Sequence, residues 1–346
     1  MIETLHSLRF VFIMLIVFSH IVGKSFDFGG ECGVSFFFVL SGFVLSLGYG
    51  KKDKQGHFQT RTFLLRQLLK FYPLHVLTLV VCVLLDARLG RYFDTCHLLP
   101  NILLLQSWIP FDEYYFVANG ASWFLCDILF FYLVFSSMYR LLNELTARHA
   151  VISVFVVLLL YSFFATIIPS SSVNSILYTN PLMRLLDFCL GILLCRFYVT
   201  KESETLKMMT RCSRLSLTII EVALVILLVA SFFVYDMLPA RYRCAAFFWF
   251  VIPPVISYFS YADRSGGFVT WCLKQPLMLW LGGISLEIFL VHGLVFRIVN
   301  SLSLRMDMQT EWCLVVYELL LMIIVAWLTK RFFVNKIYTS LVKYVL

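Results

Sequence analysis

Charge is what this chain has least of. Only 14% of its 346 residues are charged, against roughly 25% in an ordinary soluble domain. With 61% hydrophobic residues and a mean hydropathy of +0.87, polar groups are too few to cover a surface in water. Long polar insertions, low-complexity tracts and internal repeats are missing too. So are the alternating ten-residue segments of a transmembrane barrel. Ten cysteines are present, yet none has CxxC spacing and no metal-ligand spacing is seen, so no metal is expected. Cys82, Cys126, Cys189 and Cys195 sit inside apolar runs, where a thiol acts as a small apolar side chain. Cys32 and Cys96 both read as lying toward the outer face, and a disulfide between them stays open.

What remains is a series of apolar runs, each near the length of about 20 residues that crosses a bilayer as a helix. They cover residues 8–25, 31–49, 71–87, 122–140, 150–168, 181–198, 215–235, 244–260, 277–297 and 312–330. The fold class is therefore all-α, a polytopic membrane protein of about ten transmembrane helices. One domain, residues 1–346, is expected. The first run has no small-residue cleavage site and carries His20, so it reads as a retained helix rather than a signal peptide. The stretch from His97 to Trp108 is apolar but short, which suits a re-entrant or interfacial segment.

The net charge of +8 raises the question of nucleic acid, but its distribution answers otherwise. With the N-terminus inside, nineteen basic residues fall in inner segments and seven in outer ones. That bias places both termini in the cytoplasm and makes an even number of crossings consistent. No nucleic-acid partner is expected.

Ionisable groups inside spans are costly and usually functional. The candidates are His20, Asp127, Arg184, Asp187, Glu221, Glu287, His292 and Glu318. By the orientation above, His20, Asp127, Arg184, Asp187 and His292 lie in the outer half. Arg9 and His20 are eleven residues apart, three helical turns plus roughly 20°, so they share a face about 16 Å apart along the axis. That geometry suits an elongated ligand with an anionic head by Arg9 and a reactive end by His20. An acyl-CoA has that shape: its phosphates would face Arg9, Arg66 and Lys70, and an imidazole near the thioester could serve as general base for an acceptor hydroxyl. Each feature also has a plainer reading. Arg9 can be a positive-inside anchor, His20 can snorkel to the interface, Arg184 and Asp187 can be an i,i+3 ion pair, and Glu221 and Glu318 can mark helix packing alone.

Several blocks, in order, resemble the acyltransferase-3 family of integral membrane acyltransferases. Arg9 and His20 match its Arg-x10-His motif. Gly33-Val34-Ser35-Phe36-Phe37-Phe38-Val39-Leu40-Ser41-Gly42-Phe43 is similar to its glycine- and phenylalanine-rich second helix. Arg66 to Leu74 resembles its basic Arg-Ile-Tyr-Pro-Leu segment, and Ser122-Trp123-Phe124-Leu125 with Phe131-Tyr132 resembles its Ser-Trp-Ser-Leu block. Pro181, Arg184, Phe188 and Gly191 fit a later helix, and Gly283-Ile284-Ser285 with Phe289-Leu290 and His292 fit the last block.

The resemblance covers nearly the whole chain. It implies a membrane O-acyltransferase that moves an acetyl group from cytoplasmic acetyl-CoA to a hydroxyl of a surface polysaccharide or lipid-linked glycan. His20 would be the general base, aided by Asp127 or Asp187. Arg9, Arg66 and Lys70 would bind the donor, and Arg184, Glu287 and His292 the acceptor. The expected setting is the bacterial inner membrane, with acyl-CoA, a carbohydrate or glycolipid acceptor and the bilayer as partners. Self-association or a glycan-assembly partner is left open. A glycan or lipid transporter acting without covalent chemistry is the alternative. Asp127 stands one place off the family's usual acidic positions, and Lys70 replaces an arginine, so the identity of the second acid stays open.

Overall fold

A computed structural model describes residues 2–21, 29–53, 59–88, 90, 93–305 and 312–345, and among these there is no β-strand. Lys24, Lys54 and Arg91, three of the cations used above for orientation, lie outside the described residues. In chain order the helices are α1 (Glu3–Ile21), α2 (Gly30–Asp53), α3 (Thr60–Arg88), α4 (Thr95–Ile102), α5 (Asp112–Tyr115), α6 (Trp123–Glu144), α7 (Ala147–Ile167) and α8 (Pro181–Arg211). They continue as α9 (Arg214–Met237), α10 (Ile252–Ala262), α11 (Phe268–Leu273), α12 (Pro276–Gly283), α13 (Ser285–Arg305), α14 (Trp312–Thr329) and α15 (Asn335–Val345).

Among the described residues eight stretches are long and apolar enough to cross a membrane: 3–21, 30–49, 60–88, 120–144, 147–167, 214–237, 245–262 and 285–302. The remaining two of the expected ten differ in kind. Residues 181–198 form the start of the 31-residue α8, which carries Arg184, Asp187 and Arg196. The 312–330 run coincides with α14. The run at 277–297 is not one helix. It divides at Ile284, between α12 and α13. Just before the division this stretch packs tightly on α1: a Cβ on Gly282 would stand 2.2 Å from the His6 carbonyl oxygen. The short apolar stretch after His97 lies in α4 and a following 3-10 turn, too short to cross.

Two compact units emerge. The first holds residues 1–58 and 134–283. Its centre is α2. Phe36 of α2 stacks on Phe12 of α1 at 3.7 Å between ring centroids. On its other side α2 meets α8 backbone to backbone: a Cβ on Gly42 would be 2.1 Å from the Phe188 oxygen, and one on Gly191 would be 2.0 Å from the Val39 oxygen. Small residues permit this contact, as is usual for helices that pack in lipid. α10 is tied to α1 by the Thr4 hydroxyl, which donates to the Phe259 carbonyl at 2.6 Å, and by the Thr4 N–H, which donates to Asp263 at 2.9 Å. By contrast α7 and α9 leave most of their apolar side chains exposed, the surface expected to meet lipid.

The second unit holds residues 59–133 and 284–346. Its polar interior fastens the segment 95–122 to α3 and α13. His75 Nε2 donates to the Asn101 carbonyl at 3.0 Å. Asn101 and Gln106 both donate to the Ser122 hydroxyl, and Asn119 donates to the Thr78 hydroxyl and the Leu290 carbonyl. Arg297 of α13 pairs with Asp86 of α3 at 2.8 Å and also donates to the carbonyl of Ala118, a residue with φ of 52°. Outside the spans, Tyr115 is buried and donates to Asp112, and burial first, then that bond, raises its phenol well above the usual range.

Candidate active site

In the first unit, α1 carries Arg9, half-buried, and His20, exposed near the helix end. His20 Nδ1 lies 2.7 Å from the Ile16 carbonyl oxygen. A carbonyl only accepts, so Nδ1 is the donor in this contact. One face of α1 is fixed against α2: a Cβ on Gly30 would be 2.4 Å from the Ser19 hydroxyl, beside His20, and one on Gly33 would be 2.7 Å from the Phe12 carbonyl oxygen. Ser35 follows Gly30 by five residues, about 7.5 Å along α2, and its hydroxyl accepts from Arg184 Nη2 at 3.1 Å.

Arg184 and Asp187 are brought together as expected. Both are buried on α8, with Nη2 at 3.3 Å from the Asp187 carboxylate. The Trp249 indole donates to the other Asp187 oxygen. The guanidinium lies over the Phe38 ring at 5.0 Å from its centroid. Among the described residues its Nε and Nη1 have no hydrogen-bond acceptor. Polar N–H groups held in this way, deep in an aromatic cage, are suited to an oxygen-rich ligand. Asn180 begins α8 by accepting from Leu182 N, and Pro181 follows at the first helical position, where its missing N–H costs nothing. Arg184 N donates to the Asn180 carbonyl at 3.0 Å and closes that first turn.

The other expected site residues lie in the second unit. Asp127 is fully buried on α6. Glu287 is buried on α13, 3.7 Å from the Lys330 ammonium. His292 is buried one turn beyond Phe289, whose carbonyl accepts from Nδ1 at 2.6 Å. Phe124 packs on Phe289 at 5.0 Å, so the Ser-Trp-Phe-Leu block and the last block meet in this unit. Arg66 and Lys70 are exposed on α3.

Sequence reading overlooked three features, and left one question that the structure answers. His75 is fully buried in α3 and anchors Asn101, and it was visible as an ionisable residue inside the 71–87 run. Trp249 gave no sequence signal as the partner of Asp187. The disulfide left open between Cys32 and Cys96 is not formed: Cys32 is buried and Cys96 exposed. Asp94, Cys96 and His97 bring three metal-ligand atom types within 4.8 Å of one another. All three come from one turn at the start of α4, and among the described residues no second element adds a ligand.

The fold and the site residues thus describe a multi-pass membrane enzyme with a histidine at the end of its first helix. Residues 2–331 match the acyltransferase domain family, and the chain belongs to it. The protein is an acyltransferase. It is 30% identical over 287 residues to the acyltransferase MdmB of Streptomyces mycarofaciens, covering 78% of this chain and 68% of that protein. No solved structure matches the chain.

Proposed function

We propose that the protein transfers an acetyl group from cytoplasmic acetyl-CoA to a hydroxyl of a surface polysaccharide or lipid-linked glycan, in a bacterial inner membrane. The observation that carries this reading is the 2.7 Å contact of His20 Nδ1 with the Ile16 carbonyl oxygen, which holds the imidazole at the far end of the helix face that carries Arg9. Nε2 takes the proton of the acceptor hydroxyl as its oxygen attacks the thioester carbonyl. The tetrahedral intermediate collapses, the carbon–sulfur bond breaks and the thiolate leaves, to be protonated by the imidazolium. Arg9 holds the donor's phosphates. Arg184 offers Nε and Nη1 to the acceptor's oxygens, and Asp187 keeps the guanidinium charged and in place. Roles for Arg66 and Lys70 toward the donor, and for Asp127, Glu287 and His292 toward the acceptor, rest on the family resemblance together with exposure for the first two and burial for the others.

The test is acetyl-CoA labelled in the acetyl group, supplied to membranes containing the native chain or His20→Ala. Loss of a positioned base lowers rates by about 10²–10⁴-fold, so label should enter glycan only with the native chain. Full labelling by a His20→Ala protein present at native level in the membrane would end the proposal. Mass spectrometry of the glycan identifies the acyl group and the acceptor.

A further inference from the structure

One cavity stands apart from this site. It lies in the first unit, has a volume of about 330 Å³ and is lined by Arg214, Thr218, Phe268 and Trp271. Its floor is rigid. The buried Glu221 carboxylate accepts from the backbone N–H of Gly267, Val269 and Thr270 and from the Thr270 hydroxyl, which fixes the first turn of α11 against α9. Thr218 completes the clamp by accepting from Phe268 N at 3.0 Å. The result is that Phe268 and Trp271, both more than half exposed, stack on each other at 5.7 Å and face outward.

The surroundings say what meets this cavity. Leu215, Ile219, Val222, Ile226, Val229 and Phe233 recur on one side of α9 at spacings of three and four, and all are exposed. From Leu215 to Phe233 that stripe runs about 27 Å, close to the roughly 30 Å thickness of a bilayer's hydrocarbon core. It is a lipid-facing stripe, and the cavity lies at its N-terminal end. An arginine and two aromatic rings at the end of such a stripe mark headgroup depth. Arg211, the last residue of α8, adds a second exposed cation three residues before Arg214, and among the described residues neither Arg211 nor Arg214 makes an ion pair.

We propose that this cavity is a binding site for an anionic glycerophospholipid. The lipid phosphate sits against the Arg214 guanidinium, the glycerol backbone lies on the Phe268–Trp271 stack, and the acyl chains run along the apolar stripe of α9. The site is separate from the acyl-transfer residues, and it ties α9 and α11 to the bilayer surface.

The test is native mass spectrometry of the detergent-purified chain titrated with phosphatidylglycerol or phosphatidylcholine. One phosphatidylglycerol per chain should bind in preference to phosphatidylcholine. Arg214→Ala should weaken that binding about fivefold, the effect of one arginine near a charged surface, and Arg214→Glu should abolish it. Thermal unfolding of both variants in detergent should stay native, since Arg214 is exposed. Equal binding of the two lipids, or unchanged phosphatidylglycerol binding by Arg214→Glu, would overturn the proposal. Displacement of the lipid by adenosine 3′,5′-bisphosphate would overturn it too, by making the cavity a nucleotide site.

Discussion

Arg184 and Asp187 stand one turn apart on α8, wholly inside the first unit, with guanidinium and carboxylate 3.3 Å apart. A buried pair of this kind gains little over apolar residues of the same size, but removing one partner leaves a charge without compensation and costs about 3–5 kcal/mol. Asp187→Asn should therefore lower stability by about that amount. The double variant Arg184→Met with Asp187→Leu should recover much of it while staying inactive. Thermal unfolding in detergent measures the first effect, and label transfer to glycan the second. A stable double variant with native turnover would reduce the pair to architecture.

The α2–α8 contact makes a sharper stability prediction. Alanine at Gly42 or Gly191 places a methyl carbon about 2 Å from a backbone oxygen of the other helix, and backbone cannot swing aside as a side chain can. Each substitution should cost at least the 1–3 kcal/mol typical of overpacking. Gly48 lies on the same α2 helix with nothing within 4 Å of its added Cβ. Gly48→Ala should be neutral or stabilising by up to about 1 kcal/mol, from helix propensity alone. The three variants share one chemistry, so their unfolding temperatures compare crowding directly.

How much of this was legible in the sequence depends on range. Apolar runs gave the helices, because a bilayer imposes length and composition on each one locally. The i,i+3 spacing of Arg184 and Asp187 gave their pairing for the same reason. The division at Ile284 was hidden, as was the close approach of Gly282 to the backbone of His6, residues far apart in sequence. Trp249 reaching Asp187 was equally hidden, since an indole in an aromatic run reads as packing. From sequence Glu221 stands as either a functional group or a mark of helix packing. It is packing, and its partners lie some 46 to 49 residues along the chain.

In the second unit Arg297 joins α3 to the loop at Ala118 by bonding to both Asp86 and the Ala118 carbonyl. One planar fork serves two acceptors, which a lysine cannot copy. Arg297→Lys should keep the ion pair and lose the loop contact, at about 1–2 kcal/mol, in line with one hydrogen bond from a charged donor. Arg297→Ala leaves Asp86 buried and uncompensated and should cost more, about 3 kcal/mol or above. Hydrogen exchange of residues 115–122 separates the cases. Loosening of that loop with α3 still protected is the expected result for lysine, and native protection of the loop would remove the tethering role.

Glu221 offers the cleanest test of a buried carboxylate that holds backbone rather than substrate. Its Oε1 accepts from Gly267 N at 2.7 Å and the Thr270 hydroxyl at 2.6 Å, and its Oε2 accepts from Val269 N at 2.8 Å and Thr270 N at 3.3 Å. Gly267 is needed for this approach, because a Cβ there would stand 2.7 Å from the carboxylate. Glu221→Gln turns one accepting oxygen into a donor facing donors, so two bonds are lost and two buried N–H or O–H groups are stranded. At about 1–3 kcal/mol for each stranded group, the loss should be about 2–6 kcal/mol. Thr270→Val removes one donor of four and should cost about 1 kcal/mol. Hydrogen exchange should show residues 267–273 opening in Glu221→Gln while α9 stays protected. With α11 loosened, phosphatidylglycerol binding should fall as well, although Arg214 is untouched. Native exchange in α11 would mean that aromatic packing alone holds the segment and that the carboxylate is redundant.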